Sequence, residues 1–164
     1  MILDLKKAFI TDGYVAPIEF ELDLSDIEFS GVFPLKKPIS VSGTVSNKAG
    51  VVLLSIRCVA CYDAPCDRCG EEAVREITVD NEYILATEIE NEDNDFILLV
   101  SDMKLNLAEL CRTDVLLHIP MKHLCSDECK GVCAECGTNL NKNTCNCGGK
   151  QIDPRLQALA DLLK

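Results

Sequence analysis

Eleven cysteines in a chain of 164 residues constrain its fold more than any other feature of the sequence. Ten of them fall in two clusters, within residues 58–69 and 125–147. An odd count leaves at least one thiol outside any disulfide scheme. The first residues show no apolar stretch or small-residue cleavage site, so we expect a cytoplasmic chain without a signal peptide. Clustered, reduced thiols in that compartment indicate metal binding.

The first cluster consists of two Cys-x-x-Cys pairs, Cys58 with Cys61 and Cys66 with Cys69. A two-residue spacer lets both thiolates of a pair face one tetrahedral zinc ion. Only four residues separate the two pairs, which is a short spacer for a four-cysteine zinc site. The ligands are therefore either all four cysteines or only Cys66 and Cys69. Cys58 also suits a buried structural position at the end of a strand. The competing interpretation is a redox dithiol at Cys66 and Cys69, although thioredoxin-type pairs begin a helix and these flanks are β-like.

The second cluster is denser, and glycines free the backbone around it. Its sharpest unit is Cys133-Ala134-Glu135-Cys136-Gly137, which has the spacing of a zinc knuckle. Six thiols exceed the four that one zinc ion needs, so two are spare or the site is binuclear. We expect ligation by Cys129 or Cys125, by Cys133 and Cys136, and by Cys145 or Cys147. The thiolates suffice without His123, which favours a closed structural zinc site over a catalytic one. An iron–sulfur cluster is the less favoured metal alternative.

Hydrophobic periodicity predicts a β-rich body. Alternation indicates strands at residues 18–24 and 74–86, a hairpin over 39–57 and a short strand at 96–100. Residues 1–35 are otherwise interpreted as extended, 58–70 as a loop or knuckle, and 87–95 as an exposed acidic loop. Asn106 with Glu109 is typical of a helix start, and Pro120 follows its end. Asp153 and Pro154 begin a last helix.

The predicted fold class is therefore α+β. We expect an antiparallel sheet or barrel-like body with one main helix over residues 1–120. A cysteine-rich zinc-knuckle segment and a C-terminal helix make up residues 121–164.

Charge excludes several classes of function. The net charge is −11, and residues 1–120 carry 22 acidic against 10 basic side chains. Such a surface repels phosphates, so direct RNA contact is expected to be weak. Apolar stretches such as residues 51–56, which Ser55 interrupts, are far shorter than the ~20 residues of a membrane-spanning helix. Phosphate-binding loops, nucleophile elbows and HExxH motifs are missing from the sequence, so we expect neither an enzyme nor a small-molecule substrate.

Three parts of the sequence together suggest a family. Gly43-Thr44-Val45 is followed by a strand that leads to Cys66-Asp67-Arg68-Cys69. The predicted helix after Asn106 closes with Ile119-Pro120. Residues 124–141 are followed by Cys145-Asn146-Cys147 and Asp153-Pro154-Arg155-Leu156. Over about residues 39–164 the chain resembles the YceD family of large ribosomal RNA subunit accumulation proteins, in its Gram-positive-type branch. Cys58 and Cys61 are not part of the general family pattern.

The resemblance implies a non-enzymatic role in ribosome biogenesis, namely the accumulation or processing of large-subunit (23S) ribosomal RNA. It also implies association with a large-subunit ribosomal protein. The acidic balance fits that role, because a chain at −11 attracts basic proteins more readily than RNA. We therefore expect a zinc-binding acidic adaptor for a basic ribosomal protein or rRNA maturation factor.

Overall fold

A computed structural model describes residues 1–88 and 97–147 of the chain. Its largest element is a five-stranded sheet with the order β2-β3-β4-β5-β6. The strands are β2 (Val15–Leu22), β3 (Ile39–Lys48), β4 (Val51–Pro65), β5 (Glu72–Ala86) and β6 (Ile97–Leu99). Neighbouring strands are antiparallel except for β6, which pairs with β5 in parallel. No helix in the described ranges is long and apolar enough to cross a membrane.

A second, two-stranded sheet and two helices pack against the same core as the large sheet. Strand β1 (Ile2–Asp4) pairs with β7 (Lys104–Asn106), and between β1 and β2 lies the short helix α1 (Lys6–Ile10). Helix α2 (Leu107–Leu117) follows β7 directly. The sheet, α1 and α2 bury one hydrophobic core, so the α+β class predicted from the sequence is confirmed.

Strand β4 provides the clearest link between sequence pattern and burial. Its side chains alternate between exposed or half-buried and buried from Val51 to Pro65, as the two faces of a pleated strand require. Cys58, Ala60, Tyr62 and Ala64 continue the buried row that begins at Val52. The predicted loop over residues 58–70 is therefore wrong for its first half. A strand persists there because small and aromatic side chains keep the period of two.

Other predicted elements agree with the structure within a few residues. The hairpin at 39–57 is confirmed as β3 and β4, and the helix after Asn106 is α2. The Asn106 side chain caps that helix by accepting a hydrogen bond from the backbone N–H of Glu109 at 3.4 Å. Helix α1, in contrast, falls in a segment that we expected to be extended. The last helix and most of the acidic loop lie outside the described residues.

One glycine fixes how closely β3 and β4 approach each other. Gly43 pairs with Ile56, and a Cβ atom at Gly43 would lie 2.2 Å from the Ser55 carbonyl oxygen. Only a residue without a side chain allows this contact. The long β4–β5 hairpin is thereby held against the rest of the sheet, with its tip at residues 66–71.

Candidate metal centres

The tip of the β4–β5 hairpin presents two cysteines in a tight turn. The N–H of Cys66 donates to the Glu71 carbonyl, and the N–H of Gly70 donates to the Cys66 carbonyl, both at 2.8 Å. Gly70 has a φ of 71°, in the left-handed region that glycine adopts without strain. This turn places Cys66 and Cys69 on the same side of the hairpin tip.

The segment that follows α2 docks on this turn through backbone and side-chain hydrogen bonds. The N–H of Asp67 donates to the His123 carbonyl at 2.8 Å, and the Asp67 carboxylate accepts from the His123 N–H at 2.6 Å. The Arg68 guanidinium donates to the Cys129 carbonyl at 2.8 Å. The N–H of Val132 donates to the Arg68 carbonyl at 3.2 Å. These bonds bring residues 123–132 against the hairpin tip.

The docking assembles a first group of four thiols, Cys66, Cys69, Cys125 and Cys129. Their sulfur atoms all lie within 4.8 Å of one another. The Sγ atoms of Cys66 and Cys129 are 3.8 Å apart, and those of Cys69 and Cys125 are 3.7 Å apart. Sulfurs that surround a tetrahedral zinc ion at ~2.3 Å lie roughly 3.8 Å from one another. The group therefore fits a zinc ion, whereas a disulfide needs ~2.05 Å between sulfurs.

A second group of four thiols lies within the C-terminal segment and consists of Cys133, Cys136, Cys145 and Cys147. The N–H of Gly137 donates to the Cys133 carbonyl, and the N–H of Cys133 donates to the Thr138 carbonyl, both at 2.9 Å. Gly137 has a φ of 71°, as the predicted knuckle turn requires. All four cysteines of the second group come from 15 consecutive positions of the sequence.

Hydrogen-bond donors favour the ionised form of thiols in both groups. Burial opposes ionisation of Cys66, but the backbone N–H groups of Cys125, Arg68 and Cys69 outweigh it and lower the pKa of Cys66 to about 6. The hydroxyl of Thr138, 3.1 Å from the Cys136 sulfur, and its backbone N–H lower the pKa of Cys136 to about 6. Donors aimed at sulfur suit the thiolates that ligate zinc.

Two thiols, Cys125 and Cys147, have a raised pKa because several acidic groups lie close together. Hydrogen bonds with Cys129 and then Cys69 raise the pKa of Cys125 to about 12. The Cys136 thiolate raises the pKa of Cys147 to about 12 in the second group. Like charges this close cannot all ionise by themselves. A divalent cation removes that restriction, so both groups have the chemistry of a cation site.

Asn141, which lies between Cys136 and Cys145 in the sequence, forms hydrogen bonds to the loop of the first group. Its side-chain amide donates to the Cys129 sulfur at 3.3 Å, and its carbonyl oxygen accepts from the Lys130 N–H at 2.7 Å. Lys142, the next residue, forms an ion pair with Glu71 at 2.7 Å on the hairpin side. Sequence reasoning missed Asp67, Arg68 and Asn141 as supports of the first group. The only signal for Asp67 and Arg68 was their position between two cysteines.

Two cysteines predicted as candidate ligands lie outside both groups. Cys58 is buried on β4, where its thiol contacts that of Cys111 on α2. Cys61 is half-buried, three residues further along the same strand. The extended backbone of β4 carries both away from the hairpin tip, so the structure does not unite Cys58, Cys61, Cys66 and Cys69 in one site.

The expected ligand set of the C-terminal cluster also differs from the arrangement found. We expected Cys125 or Cys129 to join Cys133 and Cys136, but the structure places both with Cys66 and Cys69. Both Cys145 and Cys147, rather than one of them, complete the second group. His123 belongs to neither group, and its Nε2 lies 2.9 Å from the Ala73 carbonyl. Metal ligation by the eight grouped cysteines stays a prediction.

Comparison with known proteins gives the wider context of these two groups. A family described as "Large ribosomal RNA subunit accumulation protein YceD" matches residues 54–163, a range that contains both groups. The chain is also 36% identical over 59 residues to the large ribosomal RNA subunit accumulation protein YCED homolog 1, chloroplastic, of Arabidopsis thaliana.

That match covers 36% of this chain and 18% of the Arabidopsis protein, so the chain spans less than a fifth of this relative's length. No solved structure matches the chain. The family match extends over more than half of the 164 residues and confirms the resemblance seen in the cysteine motifs. The chain therefore belongs to the YceD family of large ribosomal RNA subunit accumulation proteins.

Proposed function

We propose that the protein is a non-enzymatic factor for the accumulation and processing of large-subunit ribosomal RNA. It holds two structural zinc ions and acts as an acidic adaptor for a basic ribosomal protein or rRNA maturation factor. The observation that carries the proposal is the family match over residues 54–163, which spans the hairpin and both four-cysteine groups. The residues matched by the family therefore include both candidate zinc sites.

Zinc is favoured at both groups because each presents four thiols, and within residues 1–88 and 97–147 neither group includes another type of ligand. A closed, sulfur-only tetrahedron leaves no open position for a substrate or water, which is the arrangement of structural zinc sites. In the first group, zinc would join the hairpin tip to residues 125–129. In the second group, it would order a segment with few buried apolar side chains of its own.

The adaptor role is supported by the acidic surface of the body. The exposed face of β2 carries Glu19 and Glu21, and Asp23 follows on the same side. Four ion pairs connect side chains within residues 1–88 and 97–147, and they involve Asp26, Asp63, Glu71 and Asp80. Most acidic side chains of the described body thus lack an ion-pair partner there. An excess of this kind attracts basic proteins and repels RNA.

Two measurements on zinc-loaded protein test the proposal. Native mass spectrometry should count two zinc ions per chain. Capture experiments with ribosomal proteins should recover a basic large-subunit protein or maturation factor, with binding that weakens as salt increases. Tight binding to naked ribosomal RNA at low salt, without any protein partner, would contradict the adaptor role.

The same protein tests the redox alternative at Cys66 and Cys69. Zinc-bound thiolates resist alkylation, whereas a catalytic dithiol is alkylated rapidly and cycles between disulfide and dithiol. Rapid alkylation of Cys66 in protein that retains two zinc ions would favour the redox function. Finally, cells depleted of the protein should accumulate less mature large-subunit RNA, and the unaltered chain should restore it.

A further inference from the structure

A cavity of about 200 Å³ lies beside the first group but takes no part in it. It forms where the end of β4 meets the segment that leads from α2 to the cysteines. Its apolar walls include the side chains of Phe29, Val32, Tyr62 and Met121, and its polar lining includes Asp67 and His123. Cavities of ~150 Å³ hold a benzene ring, so this one has room for a planar group with part of its stem.

A tight turn builds one wall of the cavity. Phe29 and Val32 exchange two backbone hydrogen bonds, of 2.8 and 3.1 Å. Between them, Ser30 and Gly31 have φ values of 53° and 82°, which match the type I′ turn of a two-residue hairpin. The turn holds the Phe29 ring at the cavity, where 37% of its surface is exposed. Met121, another lining residue, is 99% exposed, so part of the apolar surface at the cavity faces solvent.

The polar lining offers hydrogen-bond acceptors. One oxygen of the exposed Asp67 carboxylate accepts the His123 N–H at 2.6 Å, and Asp67 forms no ion pair within the described parts of the chain. The Nε2 of His123 lies 2.9 Å from the Ala73 carbonyl, which can only accept, so Nε2 carries a proton. In the neutral ring, Nδ1 is then an acceptor. His123 is 3% exposed, and its Nδ1 has no hydrogen-bond partner among the described residues.

We propose that this cavity binds an arginine side chain of a basic protein partner. The inference rests on the proposed adaptor function and identifies a specific contact for it. The guanidinium would pair with the Asp67 carboxylate and place its flat face against the Phe29 ring. Its methylene stem would cover the apolar surface at Met121 and Val32.

Arginine fits the cavity better than other side chains for three reasons. Five N–H donors in one plane match the geometry of a carboxylate, which a lysine ammonium matches less well. Apolar and aromatic walls accept a weakly hydrated guanidinium more readily than a strongly hydrated ammonium. A carboxylate at the cavity, in a chain with a net charge of −11, disfavours any anionic ligand.

The test uses the full, zinc-loaded chain and a blocked peptide of alternating glycine and arginine. Matched peptides contain lysine or the neutral arginine isostere citrulline. Titration followed by amide NMR should shift the signals of Phe29, Tyr62, Asp67 and His123 with the arginine peptide. The lysine peptide should bind more weakly, and the citrulline peptide should leave these signals in place.

Two variants and one control make the assignment specific. Asp67→Asn keeps an oxygen that accepts the His123 N–H but removes the charge, and should weaken peptide binding by about tenfold. Phe29→Ala removes a wall of the cavity without touching Asp67 and should also weaken binding. The control is Asp4→Asn, because Asp4 likewise is exposed and accepts one backbone N–H, from Lys6 at 2.9 Å. This control should bind the peptide as the unaltered chain does.

Several results would overturn the inference. The citrulline peptide could bind as tightly as the arginine peptide, or the arginine peptide could fail to bind at all. The NMR shifts could be confined to other surfaces, or the Asp67→Asn chain could bind the arginine peptide with unchanged affinity. The proposed function fails separately. If a basic ribosomal protein binds the Asp67→Asn chain as tightly as the unaltered chain, the adaptor role holds but the cavity does not contribute to it. If the cavity binds the arginine peptide but the chain captures no ribosomal protein, only the adaptor role is contradicted.

Discussion

The sulfur atoms of Cys66 and Cys129 lie 3.8 Å apart although the two residues are 63 positions apart in the sequence. Cys69 and Cys125, separated by 56 positions, meet at 3.7 Å in the same way. The first four-cysteine group is therefore a contact between the β-rich body and the C-terminal segment. The second group, in contrast, is local to that segment.

Exchange of a cysteine of the first group should remove one zinc ion. We expect Cys66→Ser to hold one zinc per chain by native mass spectrometry, because a hydroxyl is a poor zinc ligand. Cys61→Ser is the matched control, since Cys61 is half-buried and lies outside both groups. It should keep two zinc ions, and loss of a zinc ion from it would contradict the assignment.

The two groups should also differ in what they stabilise. Cys136→Ser should lose the second zinc ion yet keep the melting temperature of the β-rich body. Cys66→Ser should lower that temperature, because the first group joins the body to residues 125–129. Thermal scans of both variants beside the unaltered chain check this. Equal destabilisation would mean that the groups are not independent.

Removal of the Arg68 guanidinium should loosen the first group without deleting a ligand. Arg68 donates to the Cys129 carbonyl at 2.8 Å, so Arg68→Ala frees the loop that carries this thiol. Outer residues of metal sites commonly change affinity by about 10- to 100-fold, and we expect a zinc-affinity loss in that range. Competition with a chelating dye measures it. Arg75→Ala, at an exposed position of β5, should retain full affinity.

The pH dependence of Cys136 should reveal its hydrogen-bond donors. Its pKa in the metal-free chain is about 6, below the ordinary value of 9.0, mainly because Thr138 donates to its sulfur. The stabilisation from this thiolate is thus present above pH 9 and is lost as the pH falls toward 6. Alkylation should accelerate through about pH 6, and Thr138→Val should move this rise to higher pH. Thr144→Val is the control, and zinc should protect the thiol throughout.

Addition of a methyl group at Gly43 should disturb the sheet. A Cβ atom there would lie 2.2 Å from the Ser55 carbonyl oxygen, which belongs to the backbone and cannot rotate away. We expect Gly43→Ala to lower the free energy of unfolding by about 2 kcal/mol or more. Ser42→Ala at the adjacent exposed position of β3 is the control. A melting temperature equal to that of the control would contradict the close approach.

Local patterns were sufficient to predict much of the fold. Apolar and polar residues alternate over residues 39–57 because one face of the sheet is buried. A helix follows Asn106 because its side chain accepts a hydrogen bond from the Glu109 N–H. Helix α1 was not predictable in the same way. It is five residues long, and its cap residue Leu5 makes no side-chain cap hydrogen bond. A core contact of Ala8, rather than a local signal, accompanies it.

The sequence identified the clustered cysteines as candidate metal ligands, but it could not show which of them share a site. Spacing identified Cys133 and Cys136 as a knuckle, because that turn is local. It could not assign Cys125 and Cys129, whose partners come from a hairpin tip more than 50 positions away. Spacing also left open whether Cys58 and Cys61 join Cys66 and Cys69, and the structure places them in neither group. A strand spaces its residues about 3.3 Å apart, so the buried row of β4 carries Cys58 away from the tip.

The long separation within the first group also sets an order of events when the metal-free chain refolds in the presence of zinc. The second group can fill before the body folds, because all its ligands lie within residues 133–147. The first group closes only after β5 and α2, which lie between its two halves, have folded and brought residues 125–129 to the hairpin. Closing so long a loop costs conformational entropy, so the two halves of the first group rarely meet in an unfolded chain. The zinc content of a molecule would therefore report on its maturation, with one ion on an unfinished body and two on a finished one.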